Sequence, residues 1–272
     1  MKSGLTVLLL LIASVAGADD FAVPQEVRDK LEAVLAKSGG ELNYFDGPGD
    51  MVGVGVSFIN GKQMVVYATP DGSTVFSGVA VDVATGRNIS NADMQNLPPP
   101  NYDSVIDAVS GMSAGGLRPT VLTEGNPDSD NRYYVFVDPR CPYCHQTYNA
   151  FLGLLALGND FVVHYIPVGI LGPESENIAK EMLALPNDEA LDVFRSVSRK
   201  EAHLANSSLI TSGSRDHDTN LAIFRQLQFD AVPVVVSDVG GQRTVRRGMI
   251  QADVLLQELQ VAAVKKVAMV DR

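Results

Sequence analysis

Cys141 and Cys144 are the only cysteines in the 272-residue chain, and just two residues separate them. A disulfide between neighbours this close removes little conformational entropy from the unfolded chain, so it would contribute little to stability. A C-x-x-C pair is instead typical of redox chemistry, in which one thiolate attacks a disulfide and the second thiol releases the mixed disulfide. The pair is therefore the predicted site of chemistry.

The sequence around the pair predicts a buried strand, a turn and a helix. Residues 133–137 form an apolar run, and after Cys141 the apolar residues recur at helical spacing. Cys141 would begin the helix, where the helix dipole and free backbone N–H groups favour the thiolate. Cys144 would lie one turn further in and face the domain interior. We therefore predict Cys141 as the attacking thiol and Cys144 as the resolving thiol.

Four side chains next to the cysteines bear on this prediction. Pro142 suits the first helical turn, where its missing N–H is not needed. Tyr143 is expected to be partly exposed and able to contact substrate. Arg140 and His145 flank the pair, and a cation there would lower the thiol pKa further. Both can equally be solvated surface residues, so the sequence assigns them no role.

The sequence before the cysteines predicts a small domain and a linker. Residues 19–90 begin with a helix at 24–38 and continue with three antiparallel strands, at 52–59, 63–69 and 74–83. Residues 91–119 then contain Pro98-Pro99-Pro100 and predict an interdomain linker.

Residues 120–272 predict an α/β domain around the cysteine pair. The pattern runs strand, helix, strand, a helical insertion at about 173–229, a hairpin and a final helix. The whole chain therefore predicts a mixed class, with an α+β module followed by an α/β domain.

Residues 1–18 match a secretory signal peptide, with Lys2, an apolar run at 5–15 and a small-residue cleavage site. The run is shorter than the roughly 20 apolar residues that a membrane-spanning helix needs. We therefore predict export, with a mature chain that begins near Asp19.

The composition is that of an ordinary globular protein, with 46% hydrophobic residues and a formal net charge of -11. An acidic surface repels nucleic acid and anionic lipid, so neither is expected as a partner.

The same residues are compatible with two other kinds of site, a haem attachment site and a zinc site. His145 completes a C-x-x-C-H pattern, which attaches c-type haem in electron-transfer proteins. The strand and helix around the motif disfavour haem, because His145 would point outward if Cys144 points inward. A closed zinc site needs four ligands, whereas the chain has two cysteines and four scattered histidines.

These residues resemble the thioredoxin superfamily and, within it, the periplasmic DsbC/DsbG class of disulfide isomerases and reductases. The dipeptide Pro142-Tyr143 matches the DsbG type of active site. The resemblance covers nearly the whole mature chain and is carried by residues 136–145, 168–170 with 173–175, Ala231-Val232-Pro233 and 67–72.

The resemblance implies a thioredoxin-like catalytic domain with a helical insertion, preceded by a cystatin-like dimerisation domain and a helical linker. It implies Cys141 as nucleophile, Cys144 as resolving thiol, Pro233 as a cis-proline and Val232 as the residue whose backbone pairs with substrate. It further implies a periplasmic homodimer without bound cofactor, which acts on exported proteins with disulfides or oxidised cysteines. A DsbD-type membrane reductase would supply the electrons.

The sequence departs from the family pattern at two places. Val232 stands where the family usually has Thr, a feature shared with the more oxidising DsbA type, so isomerase, reductase (including reduction of sulfenic acids) and thiol oxidase directions remain open. Pro98-Pro99-Pro100 would interrupt a continuous linker helix.

Overall fold

The computed structural model describes residues 22–36, 40–112 and 116–270. The predicted signal peptide, residues 1–18, lies outside the described residues. None of the helices in these ranges is both long and apolar enough to cross a membrane.

The first of two compact units comprises residues 63–98 and the described chain up to Ser57. Its sheet has the order β1-β2-β3-β4, and β3 pairs antiparallel with both β2 and β4. Helix α1 buries Val27 and Leu31, which are spaced one turn apart. The elements in chain order are α1 (Gln25–Leu35), β1 (Gly40–Asp46), β2 (Val52–Phe58), β3 (Gln63–Ala68), β4 (Val75–Ser77) and α2 (Ile89–Asn96).

The strands of this unit differ from the prediction in two ways. Strand β1 was not predicted, because none of its residues is fully buried and it therefore lacks the apolar alternation of a half-buried strand. Strand β4 is shorter than the predicted 74–83. Beyond Ser77 the backbone pairs locally instead, since Ala80 accepts from the Ile89 N–H and Asp82 donates to Arg87.

The second compact unit comprises residues 58–62 and the described chain from Pro99 onward. Helix α3 follows the triple proline and buries Val105, Ile106 and Val109 in the core of this unit. The elements are α3 (Asp103–Ser110), β5 (Leu122–Gly125), β6 (Arg132–Val137), α4 (Pro142–Ala156), β7 (Val162–Pro167), α5 (Pro173–Ala184), α6 (Asn187–Ser198), α7 (Ser207–Gln226), β8 (Val234–Val239), β9 (Gln242–Arg247) and α8 (Ala252–Val270).

The sheet of the second unit has the order β5-β7-β6-β8-β9. Strands β6 and β7 are parallel and joined through α4, whereas β8 and β9 form an antiparallel hairpin next to β6. Such a βαβ unit followed by a hairpin and a helix is the thioredoxin-like fold that the resemblance implied. Along β6 the residues alternate between two hydrophobic clusters, with Tyr133 and Val135 in one and Tyr134 and Phe136 in the other. The sheet is therefore covered on both faces.

Helices α5, α6 and α7 are inserted between β7 and β8, and α7 is attached to the end of β7. The buried His217 ring donates through Nε2 to the Val168 carbonyl at 2.9 Å, and the Asn220 side-chain amide donates to Pro167 O at 3.1 Å. The insertion is thus fixed to the carboxyl end of β7, beside the carboxyl end of the parallel strand β6.

Candidate active site

The turn between β6 and α4 holds the two cysteines at the helix start. Cys141 is the N-cap residue of α4, and Cys144 lies in the first helical turn. The Cys141 N–H donates to the Asp138 carbonyl at 3.1 Å, which closes the turn. Both cysteines are free thiols, with exposed fractions of 4% for Cys141 and 0% for Cys144.

Each sulfur has a backbone partner. Cys144 Sγ accepts from the Asp138 N–H at 3.4 Å, and the Cys141 thiol donates to the Val232 carbonyl at 3.7 Å. The Val232-Pro233 peptide bond is cis. The structure therefore brings together Cys141, Cys144, Val232 and Pro233, which are up to 92 positions apart in the sequence.

The two thiols have opposite pKa shifts. A hydrogen bond from the Cys144 side chain, together with the backbone N–H groups of Cys144 and Tyr143, lowers the pKa of Cys141 to about 6. Burial raises the pKa of Cys144 far above its usual value, and the hydrogen bond to Cys141 adds to the increase. Near neutral pH Cys141 is therefore largely a thiolate and Cys144 a thiol.

Asp138 is a fully buried carboxylate at the base of the cysteine turn. Its Oδ1 accepts from the Arg140 N–H at 2.8 Å and from the Ser175 hydroxyl, and its Oδ2 accepts from the Leu171 N–H at 2.8 Å. The carboxylate thus connects the cysteine turn to the segment between β7 and α5. A buried carboxylate is tolerated only where hydrogen bonds satisfy its oxygens, as they do here.

The residues that flank the cysteines are oriented in different directions. Pro142 and Tyr143 are exposed, with 59% of Tyr143 accessible to solvent. Arg140 forms an ion pair with Glu174. His145 donates through Nε2 to the Pro139 carbonyl at 2.6 Å, so its ring folds back onto the turn.

A cavity of about 370 Å³ lies directly beside the cysteine turn. One wall comes from the turn and α4, and the other comes from the helical insertion. Its lining includes Arg140, Pro142, His145, Ile178, Lys200 and His203. The exposed surface next to Cys141 therefore continues into a recess large enough for side chains of a bound polypeptide.

The geometry of the motif does not suit haem attachment. Both sulfurs are buried against protein atoms, and Cys144 is shielded completely. His145 is half-buried rather than pointing outward as predicted, because its ring packs edge-on against Phe194 and its Nε2 is taken by Pro139. An axial haem ligand needs a free ring nitrogen that faces the iron.

The sequence did not indicate Asp138, Ser175 or Leu171 as members of the site. Asp138 was assigned to a turn, and Ser175 lies 37 positions further along the chain. One signal was available: an acidic residue directly after a buried strand and three positions before the C-x-x-C pair. The partners of that carboxylate could not be read from the sequence, since the crossover through β7 brings them there.

The fold and the dithiol at the helix start define a thioredoxin-fold protein. Within that class, the sequence is similar to two curated proteins called thiol:disulfide interchange protein DsbG. The protein from Escherichia coli strain K12 is 28% identical over 177 residues, which are 65% of either chain. The protein from Pseudomonas aeruginosa is 27% identical over 181 residues, 66% of this chain and 65% of that relative. The predicted resemblance to the DsbG type is thereby confirmed.

The matched region spans 65% of the length of each curated relative. No protein-family model matches the chain. Among solved structures, ScsC of Proteus mirabilis in a transitional conformation has a TM-score of 0.48 and 19% identity, covering 60% of this chain and 77% of that one. A disulfide interchange protein from Neisseria gonorrhoeae has a TM-score of 0.39 and 15% identity, covering 53% and 95%. Both similarities are weak, so the thioredoxin-like fold is assigned from the sheet order β5-β7-β6-β8-β9.

Proposed function

We propose that this protein is a thiol:disulfide interchange protein that isomerises or reduces disulfides in exported proteins. The observation that carries the proposal is the contrast between its two thiols. Cys141 has a pKa of about 6, whereas burial holds Cys144 in the protonated form. Such a contrast separates an attacking thiolate from a resolving thiol. The sequence similarity to two DsbG proteins supports the same activity.

The first step is attack of the Cys141 thiolate on one sulfur of a substrate disulfide. The bond between the substrate sulfurs breaks, a bond forms between Cys141 and one of them, and the other leaves as a thiolate. In isomerisation, that or another substrate thiolate then attacks the mixed disulfide and releases Cys141 unchanged. No net electrons are transferred to the substrate.

In reduction, Cys144 attacks Cys141 Sγ and the second substrate thiol leaves with the Cys144 proton. The protein becomes a disulfide, and the substrate gains two electrons, one proton from Cys144 and one from water, which protonates the thiolate that left in the first step. A sulfenic acid on a substrate cysteine would enter the same route, with hydroxide as the group displaced in the first step. No bound cofactor is needed for either route.

The substrate contacts in this proposal are Val232, Pro233, Pro142 and Tyr143. Val232 offers a backbone carbonyl within 3.7 Å of Cys141 Sγ, and Tyr143 offers an exposed ring next to it. An extended peptide can pair with such a carbonyl while its cysteine meets Cys141.

The proposal extends to location and partners. Residues 1–18 would direct export to the periplasm, residues 19–90 would dimerise, and residues 91–119 would link them to the catalytic residues 120–272. A DsbD-type reductase would return two electrons to the oxidised pair. These assignments are supported by the resemblance of the sequence to the DsbC/DsbG class.

The test is refolding of a scrambled multi-disulfide protein by wild type, Cys141→Ser and Cys144→Ser, with the reduction potential measured in glutathione buffers. An isomerase loses activity with Cys141→Ser and keeps part of it with Cys144→Ser, since rearrangement needs only the first thiol. If scrambled protein stays scrambled while the wild type reduces small disulfides or sulfenic acids, a dedicated reductase remains. Rapid oxidation of reduced substrates by the disulfide form would identify a DsbA-like oxidase. Inactivity in all three assays would refute the proposal.

A further inference from the structure

Asp138 contacts both cysteines through its backbone. Its N–H donates to Cys144 Sγ, and its carbonyl accepts from the Cys141 N–H. Among the described residues, Asp138 alone combines hydrogen bonds to both cysteines with a buried carboxylate. A change at Asp138 is therefore transmitted directly to both thiols.

The carboxylate of Asp138 reaches a second segment, residues 168–172. It accepts the Leu171 N–H, and the Ser175 hydroxyl at the start of α5 also donates to it. Leu171 is 57% exposed, so this hydrogen bond holds an apolar side chain at the surface beside the cysteines. On the same side of the site, the Val168 N–H donates to the Val137 carbonyl at the end of β6 at 2.9 Å, so the carboxylate adds a second attachment at Leu171.

The segment is tightly constrained where it meets α5. Gly169 has φ +50, and a Cβ atom added there would lie 2.7 Å from Glu176 Cα and 2.9 Å from Ser175 O. A side chain at this position would therefore push the segment away from α5. The hydrogen bonds from Leu171 and Ser175 to Asp138 depend on this close approach.

The partners of the Asp138 carboxylate are all uncharged. Two are backbone N–H groups and one is a hydroxyl, and no lysine or arginine among the described residues forms an ion pair with it. Its negative charge opposes thiolate formation and raises the pKa of both cysteines, against the larger effects that lower that of Cys141. The three donors offset part of this charge.

We propose that Asp138 is a positioning residue for the exchange reaction: its buried carboxylate fastens residues 168–172 to the cysteine turn and places a negative charge directly below the two cysteines. This inference rests on the proposed function for its biological meaning. The oxidising strength of the pair is then set in part by a residue that touches no substrate.

Two variants of the full chain separate the charge from the hydrogen bonds. Asp138→Asn removes the charge and leaves one acceptor oxygen, in place of two, for the donors of Arg140, Leu171 and Ser175. Ser175→Ala keeps the charge and removes one donor that offsets it. The thiolate absorbance at 240 nm, followed against pH in the reduced protein, gives the ionisation midpoint of Cys141, and glutathione buffers give the reduction potential.

The two variants should shift the midpoint in opposite directions. We expect Asp138→Asn to lower it and Ser175→Ala to raise it, each by a few tenths of a pH unit (~0.3), because one removes the opposing charge and the other removes a donor that offsets that charge. The reduction potential should rise in the first variant and fall in the second. Hydrogen exchange at Leu171 should accelerate in Asp138→Asn and stay slow in Ser175→Ala.

Shifts in the same direction, or no shift in either variant, would overturn the proposal, since simple loosening of the site would affect both alike. If Asp138→Asn does not fold, Ser175→Ala decides the matter: a raised midpoint supports the proposal, and an unchanged or lowered one overturns it. These readouts need no substrate. A wild-type protein without exchange activity would refute the proposed function and leave them unaffected.

Discussion

The two ends of the sheet in the second unit contain cavities of different size and chemistry. Where β6 begins, a cleft of about 560 Å³ is bordered by Gly158, Gly240 and the exposed ion pair of Lys266 with Asp130. Where β6 ends, the cavity beside Cys141 measures only about 370 Å³. The smaller cavity is lined by Arg140, Pro142 and His145, which flank two buried thiols whose pKa values are shifted in opposite directions. The larger cavity borders solvated charges.

This difference shows that cavity volume is a poor guide to the site in this molecule. Burial and hydrogen bonds change the reactivity of a group only where water is excluded from it. Cys141 and Cys144 meet that condition, and the Lys266–Asp130 pair, which is exposed to solvent on both sides, does not.

Substitution at the two ends should have very different consequences for exchange activity. Cys141→Ser replaces a thiolate with a hydroxyl that is not ionised at neutral pH, so we expect a loss of at least about a thousandfold in the rate of disulfide reduction. Lys266→Ala, at the larger cleft, should leave that rate within about twofold, since an exposed ion pair contributes little. Reduction of a small aromatic disulfide, followed by absorbance, measures both.

Equal losses in the two variants would remove the contrast between the ends of the sheet. A large loss with Lys266→Ala alone would assign the chemistry to the larger cleft. Circular dichroism of each variant controls for folding.

The elements that the sequence predicted best are those buried on both faces. Residues 133–137 form a continuous apolar run because β6 lies at the centre of the sheet, between two hydrophobic clusters. Strand β1 was missed because it buries no residue fully. Periodicity reports burial, so an element that is only half-buried leaves a weak signal.

In the active site, too, the sequence indicated local features and missed contacts between distant segments. The cysteines were indicated by their spacing, which is local, whereas the contacts of Asp138 with Leu171 and Ser175 arise from the crossover through β7. The position of His145 in the helix predicted that it points outward, but its Nε2 forms a hydrogen bond with the nearby Pro139 carbonyl. Contacts made by distant segments or by side-chain rotation are not encoded in spacing.

The hydrogen bond between the two thiols sets the pH dependence of Cys141. Alkylation of Cys141 by iodoacetamide should rise with pH, with a midpoint of about 6, and level off above it. Cys144→Ala removes the donor that contributes most to the lowered pKa, so we expect its midpoint to rise by about one pH unit. Cys144→Ser keeps a hydroxyl donor and should rise less. Peptide mass spectrometry after timed quenching gives each rate.

The same shift links pH to the stability of the reduced protein. A thiol whose pKa is lowered on folding stabilises the folded state above the usual thiol pKa, and this contribution disappears as the pH falls to about 6. The urea midpoint of the reduced protein should therefore decrease over that range more than that of Cys141→Ser. If the alkylation midpoint of Cys141 were the same in Cys144→Ala as in the wild type, the hydrogen bond from Cys144 would not be the main cause of the lowered pKa.

The smallest effects are expected for packing changes that support the active-site end from a distance. Gly213 in α7 lies against α5, where an added Cβ would be 1.8 Å from Lys180 O, so Gly213→Ala must separate the two helices. We expect a loss of about 2 kcal/mol in the free energy of unfolding. Gly153 in α4 has no atom within 4 Å of an added Cβ, and Gly153→Ala should gain about 0.5 kcal/mol through helix propensity.

Urea unfolding followed by circular dichroism measures both glycine variants. Because α5 also supplies Ser175 to the Asp138 carboxylate, Gly213→Ala should in addition shift the ionisation midpoint of Cys141 by a few tenths of a pH unit, whereas Gly153→Ala should not. A destabilised Gly213→Ala protein with an unchanged midpoint would mean that the start of α5 keeps its contact with Asp138 when the helices separate. The helical insertion would then stabilise the fold without affecting the pKa of Cys141, and packing changes in α7 would not reach the cysteines through Ser175.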